Sequence, residues 1–499
     1  MEVSKKNELT LEEYFKTIRK NIVGHGYEFD TPQGRKKLLY ADWTASGRLY
    51  KPIEEKLLHE IGPLVGNTHT ETNVTGTSMT LAYHEAKKII KKHVNASDED
   101  VIILAGSGMT GVVNKFQRIL GMKIPEKLSD YVDLPEEMRP VIFVTHMEHH
   151  SNQTSWLETI ADVVVVPPDV DGLVDLNNFE REIRKYSNRK IKIAAVTSCS
   201  NVTGIMTPYH EIAKLMHKNN GLCFVDFAAS APYIPINMHP TDLGHGADLD
   251  AVYFSPHKFL GGPGTPGALI FNTKLYTNKI PDQPGGGTVN WTNPWNIRSY
   301  IEDIEVREDG GTPPFLQSMK AAMTVRLKEE MDPGLMLKRE HEILKKLYPA
   351  LQSINELQIL AEHIEDRLGI ISFHITDLHY NLGVKLLNDY FGIQVRGGCA
   401  CAGTYGHYLL HIDPKTSQKI FAQVKRGIMD HKPGWIRLSI HPAMSDDDID
   451  FIIHAMQELV NNFKKWSDDY EYNHHTNEYT YKGDGIKYSV PVTNWFKEI

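Results

Sequence analysis

The chain has 499 residues, 41% of them hydrophobic and 23% charged, a composition close to that of soluble globular proteins and incompatible with a disordered, collagen-like or coiled-coil polypeptide. Its 54 basic and 63 acidic residues leave a net charge of −9, so its field repels a phosphate backbone and nucleic acid is not expected as a partner. Four cysteines are too few for a disulfide framework, no uncharged apolar stretch reaches 18 residues, and the first twenty residues lack the 7–15-residue apolar core of an export signal, so a cytoplasmic protein without membrane contact is expected.

Thr10 followed by Glu13 makes a capping-box pattern ahead of an amphipathic run through Tyr14, Ile18 and Ile22, which predicts a surface helix within an N-terminal segment, residues 1–38. From Leu39 to Lys274, short β-branched runs alternate with helical stretches, the pattern of βαβ units and a largely parallel sheet. Seven runs read as strands: VIILAGS, VIFVTH, VVVVPP, IAAVTS, LCFVDF, AVYFS and GALIFN. Each is apolar on both faces, as strands covered by helices on two sides must be. They define a large domain, residues 39–310. The turn-rich stretch between Pro281 and Pro314 reads as loop and boundary, and SMKAAMTVRLKEEM after it as a linking helix. The runs GIISFHIT, GIQVRGG and WIRLSIH, alternating with helices, predict a smaller α+β C-terminal domain over 311–466, followed by a tail, 467–499, without periodicity.

The chemistry concentrates at strand ends. Lys258 in SPHKFLGG follows the run AVYFS, where a chain leaving the carboxyl edge of a sheet delivers side chains to a ligand crevice. Asp226 ends the run LCFV at the same edge. A lysine and a carboxylate so placed suit pyridoxal 5'-phosphate, whose aldehyde takes the amine while the acid keeps the pyridine nitrogen protonated; a simple buried ion pair is the alternative. The turn GSGMTG, residues 106–111, lies between a strand run and a helical stretch and can offer backbone N–H groups to a phosphate. Ser255 and His257, two residues apart on an extended segment, would face it together. His149 in HMEHHSN suits a ring-stacking role and Asn201 in TSCSNVTG a hydrogen bond to the ring oxygen, although any one of the histidines also fits a structural role.

In chain order, YADWTASG, GNTHT, GSGMT, MEHHSN, SNVTG, VDFAAS, SPHKFLGG, PGGGT, EDGGTP, VRGGCAC and IRLSIHP resemble the class V aminotransferase superfamily, and within it the cysteine desulfurases and selenocysteine lyases. The resemblance implies a pyridoxal phosphate-dependent transferase of fold type I, α/β, with a seven-stranded mostly parallel sheet in the large domain and a smaller α+β C-terminal domain, acting as a homodimer. It implies Lys258 as the Schiff-base lysine, Asp226 as the pyridinium partner, His149 as the stacking residue and Asn201 as a cofactor contact. Met109, Thr110, Ser255 and His257 would hold the phosphate, with Thr288 reaching across from the partner subunit. Arg437, with Arg396 as second candidate, would hold the substrate carboxylate.

The cysteines bear on the reaction class. Cys401 aligns best with the desulfurase nucleophile that receives sulfur as a persulfide; Cys399, two residues earlier, would face the same way if the segment is extended, and the C-x-C pair also resembles molybdenum-cofactor sulfurases. The expected activity is removal of sulfur from L-cysteine or a close analogue, giving alanine and an enzyme persulfide that passes to a sulfur-acceptor protein. The alternative is a class V aminotransferase, epimerase or C–S lyase acting on another amino acid without a cysteine nucleophile. Cys399, Cys401, His407 and His411 offer four ligand atoms, but the cysteine spacing is too short for a structural zinc site, and no metal is expected. Two features depart from the family: Ala229 stands where a glutamine is usual and Phe227 where a glycine is usual. Residues 402–434 form an insertion suited to capping the site, restricting the substrate or docking an acceptor.

Overall fold

The computed structural model describes residues 9–483 and 492–497; the first eight residues of the N-terminal segment and residues 484–491 and 498–499 of the expected tail lie outside them. Two compact units emerge, one of residues 44–201 and 205–337, the other of residues 1–43, 202–204 and 338–499.

The larger unit is built on a seven-stranded sheet whose members are the seven apolar runs: β1 (Asp100–Ala105), β2 (Val141–Thr145), β3 (Asp162–Val166), β4 (Lys192–Thr197), β5 (Leu222–Asp226), β6 (Ala251–Phe254) and β7 (Gly267–Asn272). They lie in the order β1-β7-β6-β5-β4-β2-β3. All neighbours are parallel except β7, which runs antiparallel to β1 and β6. β2, β4 and β6 are buried at every position, because helices leave neither face of the sheet to water. Four helices matter below: α1 (Val74–His93), α2 (Met109–Ile119), α3 (His150–Leu157) and α4 (Phe315–Met331). Val112, Val113 and Phe116 of α2 pack with Phe224, Tyr253, Leu269 and Phe271 from the strands in the unit's main core.

Two expectations change here. The stretch 281–314 is not plain loop: Val289–Thr292 pairs with Arg298–Tyr300 as a hairpin, and a helical turn, Ile304–Arg307, follows. Buried ion pairs fix its end, Lys115 to Glu308 at 2.7 Å and Lys87 to Asp309 at 2.8 Å. The domain boundary also moves. α4 buries ten of its residues and packs against α1, so the larger unit runs to Leu337 instead of stopping at 310. Residues 1–43 group with the C-terminal unit because Leu39–Tyr40 pairs in parallel with Ile393–Gln394 and the Ser439 amide donates to the Ala41 carbonyl at 2.7 Å.

The smaller unit centres on an antiparallel sheet of β8 (Leu357–Ile359), β9 (Ile370–Ile375), β10 (Arg396–Gly398) and β11 (Trp435–Ser439), in the order β8-β9-β11-β10. Its long helix α5 (Asp446–Trp466) starts at a capping box on Ser445. The N-terminal helix Leu11–Lys20 starts at the predicted one, with Thr10 Oγ1 accepting from the Glu13 amide and Glu13 Oε2 from the Thr10 amide. The aperiodic tail opens with a hairpin, Tyr470–Asn473 against Glu478–Tyr481, docked by Tyr470 donating to Asp389 at 2.8 Å and by Asn477 donating to the Tyr380 hydroxyl at 2.7 Å. No helix among the described residues is long and apolar enough to cross a membrane.

Candidate active site

Cofactor residues expected from the sequence gather in the larger unit at the carboxyl edge of its sheet, where parallel α/β sheets hold ligands. Asp226 ends β5, is only 3% exposed, and accepts from the Ala228 amide at 2.8 Å through Oδ1. Burial raises its pKa to about 6, against the pull of that amide and of the Lys258 charge. Lys258 closes the tight turn Pro256–Lys258 just beyond β6 and is half-buried. The same charge, after burial, also lowers the His257 pKa, so Lys258 lies within electrostatic reach of both groups.

The phosphate cradle lies at the start of α2. Gly108 precedes the helix in extended backbone, and a Cβ there would come within 2.9 Å of His257 Cε1 and 3.2 Å of Ser255 Oγ; the site leaves room for main chain only. The Met109 amide donates to Ser255 Oγ at 2.8 Å, and His257 Nδ1 meets the Ser107 carbonyl at 3.1 Å. The Thr110 and Ser151 hydroxyls are 2.6 Å apart, which ties the first turn of α2 to α3. His149 is the N-cap of α3, its Nδ1 accepting from the Ser151 amide at 3.1 Å; that bond fixes the ring and puts the proton of a neutral imidazole on Nε2. Asn201 is buried in the 198–207 loop after β4, closed by Ser200 donating to the Ile205 carbonyl. Thr288 differs from expectation: its buried hydroxyl donates to Gly285 within its own turn at 2.7 Å instead of being presented outward. Ala229, in the usual glutamine position, is buried beside Ser230, whose hydroxyl pairs with Ser198 at 2.6 Å.

The remaining residues belong to the smaller unit. Arg437 on β11 and Arg396 on β10 face each other in register, a like-charge pairing that Asp42 relieves by accepting from Arg437 Nη2 at 2.7 Å and from Arg396 Nε at 3.0 Å. Arg437 is 3% exposed, and burial pulls its pKa down against Asp42. The expectation that Cys399 and Cys401 share one side of an extended segment fails. The Ala402 amide donates to the Cys399 carbonyl at 3.0 Å, closing a tight turn with Ala400 at φ 48° and Cys401 at φ 57°. Left-handed backbone at two consecutive residues breaks the alternation of side chains, leaving Cys401 exposed and Cys399 partly covered. His407 spends both ring nitrogens within its own surroundings, on the Gly403 carbonyl at 2.7 Å and the Ser417 hydroxyl at 2.8 Å. The insertion carries two helices, Gly403–Leu409 and Pro414–Val424.

Sequence reasoning missed Asp42 and Glu148. Asp42 carried a signal in YADWTASG, an acid closing an apolar run just as Asp226 does; Glu148 stood in plain view inside HMEHHSN, four residues before Asn152.

The family model described as Aminotransferase class-V matches residues 39–452. The chain belongs to that family. Class V aminotransferase-family enzymes such as the cysteine desulfurases depend on pyridoxal 5'-phosphate. Probable cysteine desulfurases of Halalkalibacterium halodurans and Staphylococcus epidermidis are 28% and 27% identical to this class V chain over 371 residues, covering 73% and 74% of it and 84% of each relative. Among solved structures, the cysteine desulfurase of Thermococcus onnurineus NA1 superposes with a TM-score of 0.70 at 21% identity, over 89% of this chain and 98% of that one. The cysteine desulfurase CsdA of Escherichia coli does so with 0.68 at 19%, over 90% and 98%. At these identities the structural likeness establishes the fold.

The residues present fit the family cofactor. A main-chain cradle at a helix N-terminus, a buried carboxylate and a half-buried lysine converge at one sheet edge, and Gly108 leaves no volume for a side chain where a phosphate would approach.

Proposed function

We propose that this chain is a pyridoxal phosphate-dependent cysteine desulfurase that converts L-cysteine, or a close analogue, to alanine and an enzyme persulfide on Cys401. The convergence of Lys258 and Asp226 at the carboxyl edge of the sheet carries the reading, together with the exposure of Cys401 on a tight turn. When bound, the cofactor supplies an electron sink for charge that develops as substrate bonds at Cα and Cβ are broken.

The protein's groups divide the remaining work. Gly108 and Thr110 offer main-chain donors to the phosphate at the start of the helix, with Ser255, which accepts from the Met109 amide, and His257 beside them. Asp226 would retain the proton on the ring nitrogen, His149 would stack on the ring, and Asn201 would meet the ring oxygen. Lys258 Nζ takes the proton from the substrate Cα and returns it where the product needs it, a task an amine performs as base and then as acid. Arg437 and Arg396, held in a fixed arrangement by Asp42, receive the substrate carboxylate. The Cys401 thiolate attacks the substrate sulfur: an S–S bond forms, the Cβ–S bond breaks, and Cβ gains a proton to give alanine. The terminal sulfur of the persulfide then passes to an acceptor protein. A homodimer in the cytoplasm is the expected setting.

Product analysis tests the reading. Purified protein loaded with cofactor should form alanine and a persulfide from L-cysteine, Cys401→Ser should abolish both while keeping the cofactor's visible absorbance, and Cys399→Ser should retain them. Alanine or sulfide production unaffected by either cysteine substitution would favour a C–S lyase, and turnover of other amino acids alone an aminotransferase or epimerase.

A further inference from the structure

The ladder between β2 and β4 stops short of the sheet's carboxyl edge. Val141, Ile142 and Phe143 face Lys192, Ile193 and Ala194 in register, and no pairing continues beyond them among the described residues. Glu148 fills the gap. Its side chain is fully buried, with Oε1 accepting from the Thr145 amide at 3.2 Å, the Thr145 hydroxyl at 2.6 Å and the Thr197 amide at 2.9 Å. Oε2 accepts from Asn152 Nδ2 at 2.8 Å. Asn152 extends the network, donating also to the Ala195 carbonyl at 3.1 Å and accepting from the Tyr253 hydroxyl at 2.6 Å and the Trp156 indole at 3.3 Å.

Every group that reaches Glu148 donates. An ionised carboxylate satisfies all of them, although burial raises its pKa to about 7, so that the charge is present from near-neutral pH upward; glutamine would turn its own N–H toward a donor. Asn152 cannot flip to help, because its oxygen already serves Tyr253 and Trp156. Two neighbours give this charge a consequence. The next residue, His149, caps α3, so the turn that projects its ring is pinned by Glu148 at its root. On the other side Thr197 stands opposite Asp226 in register, and the two buried carboxylates act on each other electrostatically. The titratable groups bearing on Glu148 are Asp226 on β5 and Tyr253 on β6; Lys258 acts on Asp226.

We propose that Glu148 is a positioning residue of the cofactor site: an ionised wedge between β2 and β4 that fixes the turn carrying His149 and places a second negative charge behind Asp226, strengthening its hold on the protonated ring nitrogen. This inference rests on the pyridoxal phosphate reading above. Its test is cofactor titration of the apo protein in wild type, Glu148→Gln and Glu148→Asp, reading the dissociation constant, the pH midpoint of the bound cofactor's visible absorbance, and the melting temperature of the apo form. Glu148→Gln should fold, bind the cofactor roughly 10- to 100-fold more weakly, as loss of a supporting outer contact does elsewhere, and move the midpoint to lower pH, since losing an anion weakens proton binding by nearby cations. Glu148→Asp, shorter but charged, should weaken binding with a smaller midpoint shift. If Glu148→Gln fails to fold, Thr145→Val decides, with a smaller shift in the same direction. Wild-type affinity and midpoint in Glu148→Gln, equal midpoint shifts in the Gln and Asp variants, or no shift in Thr145→Val would overturn the proposal. Failure of the underlying reading looks different: the wild type itself would take up no cofactor, or Lys258→Ala would leave the absorbance unchanged.

Discussion

Asp226 and Glu148 both bind protons more tightly in the folded chain than in an unfolded one, burial raising them to about 6 and about 7. A raised carboxyl pKa contributes stability that is fully present below the unfolded value near 4 and lost as pH rises through the folded value, because the native state binds more protons between the two. The apo protein should therefore lose stability between about pH 4 and pH 7. Asp226→Asn should flatten that slope by an amount on the order of 3 kcal/mol at most, since each tenfold change in proton affinity is worth about 1.4 kcal/mol, while abolishing tight cofactor binding; calorimetry of the apo form across pH checks both. For Lys258→Ala, loss of the amine as acid and base should lower turnover by roughly 10²–10⁴-fold or more, with the cofactor's lysine-linked absorbance absent from the spectrum. At this scale the positions of Lys258 and Asp226 at the sheet's carboxyl edge were legible because each follows an apolar strand run, a local pattern. Glu148 was not, since its meaning lies in donors from Thr145, Asn152 and Thr197, and the last is 49 residues away.

Among elements, the turn after β6 depends on a close approach from the segment ending at Gly47. The Gly47 amide donates to the His257 carbonyl at 2.9 Å, and a Cβ at 47 would sit 1.9 Å from the Phe259 carbonyl oxygen. Gly47→Ala should push the Lys258 turn out of place, costing about 3 kcal/mol or more and lowering cofactor occupancy, measurable by melting temperature and the ratio of visible to ultraviolet absorbance. In the smaller unit, Asp42→Ala removes the counter-charge between Arg396 and Arg437. Removing that acid from beside the buried Arg437 should cost up to roughly 3–5 kcal/mol, and Asp42→Asn, which keeps an acceptor, clearly less; chemical denaturation of the two variants separates charge from packing. The seven strands and the capping box at Thr10 were readable from periodicity and cap residues. The hairpins at Val289–Tyr300 and Tyr470–Tyr481 were not, because Asn293, Pro294 and Asn296 read as plain loop in the first, His474, His475 and Thr476 carry no turn signal in the second, and the short strands on either side are defined by their partners.

Over the whole molecule, charge acts through pairs that composition conceals. His239 bridges Asp100 at 2.6 Å and Asp248 at 3.1 Å, which together outweigh burial and raise its pKa; His217 is raised by its hydrogen bond to Asp250 at 2.9 Å. Raised histidines add stability below the unfolded value near 6.5 that is lost as pH climbs through the folded ones. Melting temperature should fall as pH rises above about 6.5 in wild type and less steeply in His239→Gln. Sequence by itself determined the seven strands of the large sheet and the family, because these depend on residues close in the chain and on motifs in a fixed succession. Only the tertiary structure decided that Asp42 joins two arginines from 354 and 395 residues away, that Glu148 wedges two strands apart, that residues 1–43 group with the C-terminal unit, and that the two cysteines sit on a left-handed turn. Each of those rests on partners or backbone angles that burial and strand pairing impose, and no local pattern of residues encodes them.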